Sequence, residues 1–105
     1  MLQFHPLGIG QQVIETSLGT MVYYTPVGQP WSIPSPDAPP LLFLHNFGGG
    51  ASGYEWSKVY PAFLDAYRVL VPDLIGWGQS DRPVRDYQLN DYLTTIAEFI
   101  RKTCT

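Results

Sequence analysis

A single cysteine, Cys104, stands in the whole chain of 105 residues. That excludes an internal disulfide and a cysteine-built metal centre, and it fits a reducing, intracellular compartment. Histidine is nearly as scarce: His5 and His45 lie far apart in sequence and form no ligand pair. Basic charge is short as well. Six Lys and Arg face nine Asp and Glu, for a net charge of -3, so the chain has no general attraction to nucleic acid or to an anionic membrane. No apolar run approaches the length of a membrane span. The N-terminus, Met1 to Pro6, has no basic region ahead of a long apolar one, so no signal peptide is visible. These absences set the expectation of a cytoplasmic protein with no nucleic-acid or membrane partner. Internal repeats are missing too. What the chain does have is apolar residues, 45% of the total. That is enough for a globular core and too much for a disordered chain, and the length permits one small domain.

The chain is organised around Leu41-Leu42-Phe43-Leu44-His45-Asn46-Phe47-Gly48-Gly49-Gly50. Four apolar residues without alternation suit a strand buried on both faces, as in a parallel sheet. The glycines that follow allow the backbone to approach a bound group closely. Successive N–H groups in such a turn can converge on an anion. The stretch reads as the mouth of an active site.

Before it, residues 1–10 read as a loose leader. Gln11–Glu15 and Thr20–Thr25 read as two strands around a Ser17-Leu18-Gly19 turn, the second rich in β-branched and aromatic residues, and they pair as an antiparallel hairpin. Residues 26–40 contain Pro26, Pro30, Pro34, Pro36, Pro39 and Pro40, too many residues without an N–H for a strand interior. This is a surface loop, either a docking segment for a proline-recognising domain or, more simply, a long connection pinned by Trp31 and Ile33. After the glycines, Ser52 and Glu55 form a capping-box pattern that starts a helix. Trp56, Val59, Tyr60, Phe63 and Leu64 give this helix its apolar face. Pro61 splits it into two short pieces and stands at the first position of the second. Tyr67–Val71 is the next strand, closed by Pro72. A last helix spans about Asp91 to Lys102 behind an Asn90 cap. Leu93, Ile96, Ala97 and Ile100 form its inward face, Thr94, Thr95, Glu98, Arg101 and Lys102 its outward one, and Glu98 and Lys102 make an i,i+4 pair. A hairpin followed by strand, helix, strand and helix predicts an α/β sheet whose later part is parallel.

Two motifs in this order resemble the N-terminal portion of the α/β-hydrolase-fold superfamily. One is the apolar strand running into His45-Asn46-Phe47 and glycines, where the superfamily usually shows His-Gly. The other is Asp73-Leu74-Ile75-Gly76-Trp77-Gly78-Gln79-Ser80, which fits its D-x-x-G-x-G-x-S loop. The resemblance covers nearly the whole chain. It implies a nucleophile on a sharp strand-to-helix turn, G-x-S-x-G or its aspartate version, whose attack on a carbonyl creates an oxyanion. One stabilising N–H comes from the residue after the nucleophile and another from the loop after the His-Gly strand. By position, the second is the backbone N–H of Phe47. A donor of this kind is typically worth about 3 kcal/mol of barrier. Asn46 departs from the usual glycine. If that position needs φ > 0, asparagine is the least costly replacement.

No nucleophile elbow lies within the chain, and in this superfamily the nucleophile, acid and histidine come later. The expectation is therefore an N-terminal fragment with an incomplete sheet. It would supply the oxyanion loop, and it would self-associate or need its C-terminal complement. Ser52 and Ser80 are no substitutes, since neither has an acid–histidine pair to activate it. His45 could be a general base, but a histidine closing a strand more often orders the adjacent loop. Asp73 could be a catalytic acid or could accept hydrogen bonds from the Gly76–Ser80 loop, the favoured role. Gly48, Gly49, Gly76 and Gly78 serve backbone geometry, and Ser80 bonds within its loop. Trp77 is a candidate pocket wall or a packing plug. Nothing calls for a metal or a cofactor. The intact protein would take a small-molecule substrate, by preference an ester or a C–C bond cleaved through serine. The alternatives are an aspartate nucleophile, as in haloalkane dehalogenases and epoxide hydrolases, or a non-catalytic binding relative. Those aspartate enzymes often carry proline where Gly48 stands.

Overall fold

The computed structural model describes residues 5–28, 37–47 and 51–104. Strand β1 (Ile9–Thr16) and strand β2 (Gly19–Pro26) form the hairpin, joined through Ser17 and Leu18. Strand β3 (Pro40–Leu42) and strand β4 (Arg68–Pro72) follow, and helix α1 (Leu89–Thr103) closes the chain. The four strands lie in the order β1-β2-β4-β3, with β4 antiparallel to β2 and parallel to β3. This is a mixed α/β sheet whose later part is parallel, as the alternation of elements predicts.

Strand β4 is the strand buried on both faces. Because side chains alternate along a strand, Val69 and Val71 enter one core layer and Leu70 the other. The first layer holds Phe43, Tyr60, Leu64, Val69 and Val71. The second holds Met21, Leu70, Leu74, Ile75 and Phe99, with Tyr23 edge-on to Phe99 of α1. The continuous apolar run at Leu41–Leu44 had pointed to β3 for this role. In this incomplete sheet β3 has one neighbour among the described residues, as expected, but it is only three residues long and Leu44 is 41% exposed, so it is not the strand buried on both faces. Burial on two faces needs a packed layer on each, and β4 has both, Leu70 in one and Val69 and Val71 in the other.

The leader is shorter and better held than the sequence suggested. Ile9 already belongs to β1, and the His5 ring stacks on Tyr24 at 3.9 Å and bonds the Tyr60 hydroxyl at 2.7 Å. Pro26 ends β2 and Pro40 begins β3, so the connection is 27–39; Trp31 and Ile33 lie outside the described residues. The helix expected after Ser52 is two 3-10 helices, Gly53–Trp56 and Tyr60–Phe63, with Pro61 in the first turn of the second. Both pieces close i→i−3 turns, as in Ser57 N–H to Tyr54 C=O and Ala62 N–H to Val59 C=O, and Pro61 stands in the first turn, where its missing N–H costs no intrahelical bond.

Helix α1 is longer than expected and rotated from its expected face. Gln88, not Asn90, is the cap, and it forms a reciprocal box with Asp91. Asp91, Thr95 and Phe99 are the buried residues. Thr95 was assigned to the outward face, but its hydroxyl bonds the Asp91 carbonyl at 2.8 Å, which satisfies it inside the core. Leu93 and Ile100 point outward instead, at 57% and 42% exposure. Glu98 and Lys102 do not pair with each other. Glu98 accepts from the Ser17 N–H and hydroxyl, and Lys102 donates to the Glu15 carbonyl, so both tie α1 to the hairpin.

Candidate active site

The site is built where β3 and β4 end side by side, since parallel strands deliver their following loops to one edge of the sheet. Asp73 immediately follows β4 and is 1% exposed. A buried carboxylate must be matched by donors, and Asp73 has them on both oxygens. Its Oδ1 accepts from the Gly53 N–H at 2.7 Å. Its Oδ2 accepts from the Gln79 N–H at 2.9 Å and, more weakly, from the Tyr24 hydroxyl at 3.4 Å. The carboxylate thus joins the first 3-10 helix, the 76–80 loop and β2. Burial first, and then the charge of Asp73, push the Tyr24 hydroxyl up to about 12.

Gly76 and Gly78 shape the loop. Gly78 sits at φ +52, and a Cβ there would fall 2.3 Å from Asp73 Oδ2, so only glycine lets the backbone wrap the carboxylate this closely. The Ser80 hydroxyl donates to the Asp73 carbonyl at 2.6 Å and accepts from the Val22 N–H at 2.8 Å. Both of its hydrogen-bonding roles are therefore filled by backbone.

His45 follows β3 and is buried. Its Nε2 accepts from the Leu74 N–H at 3.0 Å, and a backbone N–H can only donate. The proton must then be on Nδ1, which donates to the Asn46 carbonyl at 2.7 Å. With both nitrogens engaged by backbone, the ring has no vacant position for base catalysis here. It fixes the Asn46–Phe47 peptide instead. In a planar trans peptide the C=O and N–H point opposite ways, so the Phe47 N–H is directed away from the carbonyl that His45 holds. Among the described residues no non-glycine has positive φ. The conditional rationale for asparagine at 46 therefore does not arise.

The Phe47 side chain is 56% exposed and meets Tyr92 and Trp77 at 4.9 and 5.9 Å between ring centroids, with Trp77 also edge-on to His45. The structure therefore brings His45, Asn46, Phe47, Asp73 and Trp77 to one end of the sheet, with Gly76, Gly78 and Ser80 beneath. Gly48 and Gly49 lie outside the described residues. Sequence reasoning missed Tyr24, Tyr92 and Glu55 here. Tyr24 and Tyr92 carried no signal beyond core aromatics, and Glu55 was absorbed into a capping pattern.

Residues 39–104 match the family model for the alpha/beta hydrolase fold. The chain belongs to the α/β-hydrolase-fold family. A haloalkane dehalogenase of Bradyrhizobium diazoefficiens is 33% identical over 85 residues, covering 81% of this chain and 25% of that protein. A soluble epoxide hydrolase of Corynebacterium sp. is 36% identical over 61 residues, 58% of this chain and 21% of that protein. Among solved structures, a haloalkane dehalogenase from Bradyrhizobium elkani USDA94 superposes with a TM-score of 0.74 at 30% identity, over 90% of this chain and 29% of that one. The chain spans 25% and 21% of the length of these two curated relatives. No helix among the described residues of this hydrolase-fold chain is long and apolar enough to cross a membrane.

Proposed function

We propose that this chain forms the N-terminal part of a hydrolase, contributing the oxyanion-side loop through the backbone N–H of Phe47. The nucleophile, acid and catalytic histidine come from sequence that follows. The observation that carries this is the tautomer of His45. A ring bonded to backbone at both nitrogens is an orienting group, and the peptide it orients is the one that bears the Phe47 donor. No acceptor for that N–H lies among the described residues. A donor fixed before reaction stabilises developing charge without reorganisation. Asp73 and Ser80, each saturated by backbone, act as scaffold for the loop, and Trp77 lines the mouth. The substrate is a small molecule, and the setting is cytoplasmic. The 105 residues alone bind their C-terminal complement or associate with themselves.

For the intact enzyme the reaction is ester or C–C bond hydrolysis through serine. The names of two relatives, haloalkane dehalogenase and soluble epoxide hydrolase, support the second reading, an aspartate nucleophile. A third relative, the 2-hydroxymuconate semialdehyde hydrolase of Pseudomonas sp., is 30% identical over 83 residues and supports the first. The test compares p-nitrophenyl ester turnover and halide release from a haloalkane, by this chain and by a form extended beyond residue 105. Ester turnover by the long form alone supports a serine hydrolase, and halide release supports the aspartate reading. If neither form turns over and no nucleophile elbow follows, a non-catalytic binding relative replaces both.

A further inference from the structure

The Asn46–Phe47 segment is held from two sides, and only one of the holds is the histidine. Glu55, in the first 3-10 helix, places Oε1 2.5 Å from the Asn46 N–H. The capping pattern would send this carboxylate back toward Ser52. Instead the Ser52 hydroxyl caps the helix by itself, accepting from the Tyr54 N–H, and Glu55 reaches across to the β3 loop. The Glu55 helix is itself fixed. The Gly53 N–H is bound by the buried Asp73 carboxylate, and Ser57 N–H closes the turn on Tyr54. A continuous path therefore runs from the end of β4, through Asp73 and Gly53, to Glu55 and the Asn46 amide. A hydrogen bond to an ionised acceptor is about twice as strong as a neutral one.

We propose that Glu55 is a positioning residue for the oxyanion loop. It occupies the Asn46 N–H so that the next amide, Phe47, is the one presented to substrate. Two consecutive peptides are thus clamped in sequence, the first at its N–H by Glu55 and the second at its C=O by His45. With either clamp released, the Phe47 N–H can rotate out of line. This inference rests on the hydrolase reading for its catalytic consequence, but the clamp itself is measurable without turnover.

The test uses Glu55→Ala and Glu55→Gln, the second keeping an acceptor oxygen. Hydrogen exchange at the Asn46 amide, followed in the 105-residue chain and in the extended form, should quicken about tenfold in Glu55→Ala and much less in Glu55→Gln. In the extended form, Glu55→Ala should lower kcat for ester hydrolysis about tenfold with KM within about twofold, because misplaced catalytic geometry acts on the transition state. Glu55→Gln should recover most of that loss. Unchanged Asn46 exchange in Glu55→Ala overturns the clamp. Faster exchange with unchanged kcat, or parallel loss in kcat and KM that glutamine does not rescue, overturns the positioning role. If the unsubstituted extended form is inactive, the hydrolase reading fails and the clamp stands or falls on exchange alone.

Discussion

The loop after β4 differs sharply from the exposed stripe of α1 and the free edge of β3 in how its groups are satisfied. Around Asp73 the carboxylate and the Ser80 hydroxyl are both bonded to backbone. The carboxylate takes two backbone N–H groups, Ser80 links the loop to β2, and Gly78 gives up its side chain to allow the approach. By contrast, Leu89, Leu93 and Ile100 of α1 and Leu44 after β3 are exposed, and β3 has a free edge among the described residues. A free strand edge is a template for further pairing. One region is satisfied within these residues, and the other leaves apolar side chains and a strand edge exposed. Stability should therefore depend on the first, and association on the second.

The largest effect that would sharpen this contrast comes from Asp73→Ala. It strands the buried Gly53 N–H, at a cost of about 1–3 kcal/mol, and also removes the partner of the part-buried Gln79 N–H. The expected loss is about 3 kcal/mol, enough to unfold a marginal chain, read from the urea midpoint. A shift below about 1 kcal/mol would show that water replaces these bonds and that the loop is not the anchor.

How legible these regions were follows from the same contrast. The hairpin, β4 and the Asp73 loop are visible in sequence because β-branched runs, Pro72 and paired glycines act locally. The rotation of α1 was not. An apolar stripe such as Leu93, Ile96, Ala97 and Ile100 reads as inward wherever its cover lies, whereas Thr95 sits in the core with its hydroxyl returned to its own backbone. That the apolar run at Leu41–Leu44 is not buried on both faces was hidden for a similar reason, since composition reports what a strand can bury and not what covers it. At the site, His45 and Asp73 were singled out by motif. The direction of Glu55 depends on the three-dimensional proximity of Asn46, which no spacing rule encodes.

An intermediate effect tests the exposed stripe directly. Leu93→Lys replaces an exposed leucine, so the unfolding free energy should move by less than about 0.5 kcal/mol. Sedimentation should nevertheless show weaker self-association, because a charge interrupts the apolar stripe. A loss of stability comparable to that at Asp73 would mean that this face is internal after all, and the contrast between the two regions would fail.

The smallest effect concerns pH and belongs to the satisfied region. His5 is stacked on Tyr24 and bonded to Tyr60, and burial lowers its pKa below 6.5 although the Asp73 charge pulls the other way. A base whose folded pKa is depressed binds its proton more readily in the unfolded chain. Its contribution is therefore intact above pH 6.5. It is lost as pH falls through the folded pKa, since the unfolded state then holds more protons and stability rises with pH across that window. His5→Phe keeps a flat ring against Tyr24 and removes the titration. Comparing urea midpoints at pH 8 and pH 5, the unsubstituted chain should lose more stability than His5→Phe. Equal losses would assign the acid sensitivity to groups other than His5 and would leave His5 as a packing contact only.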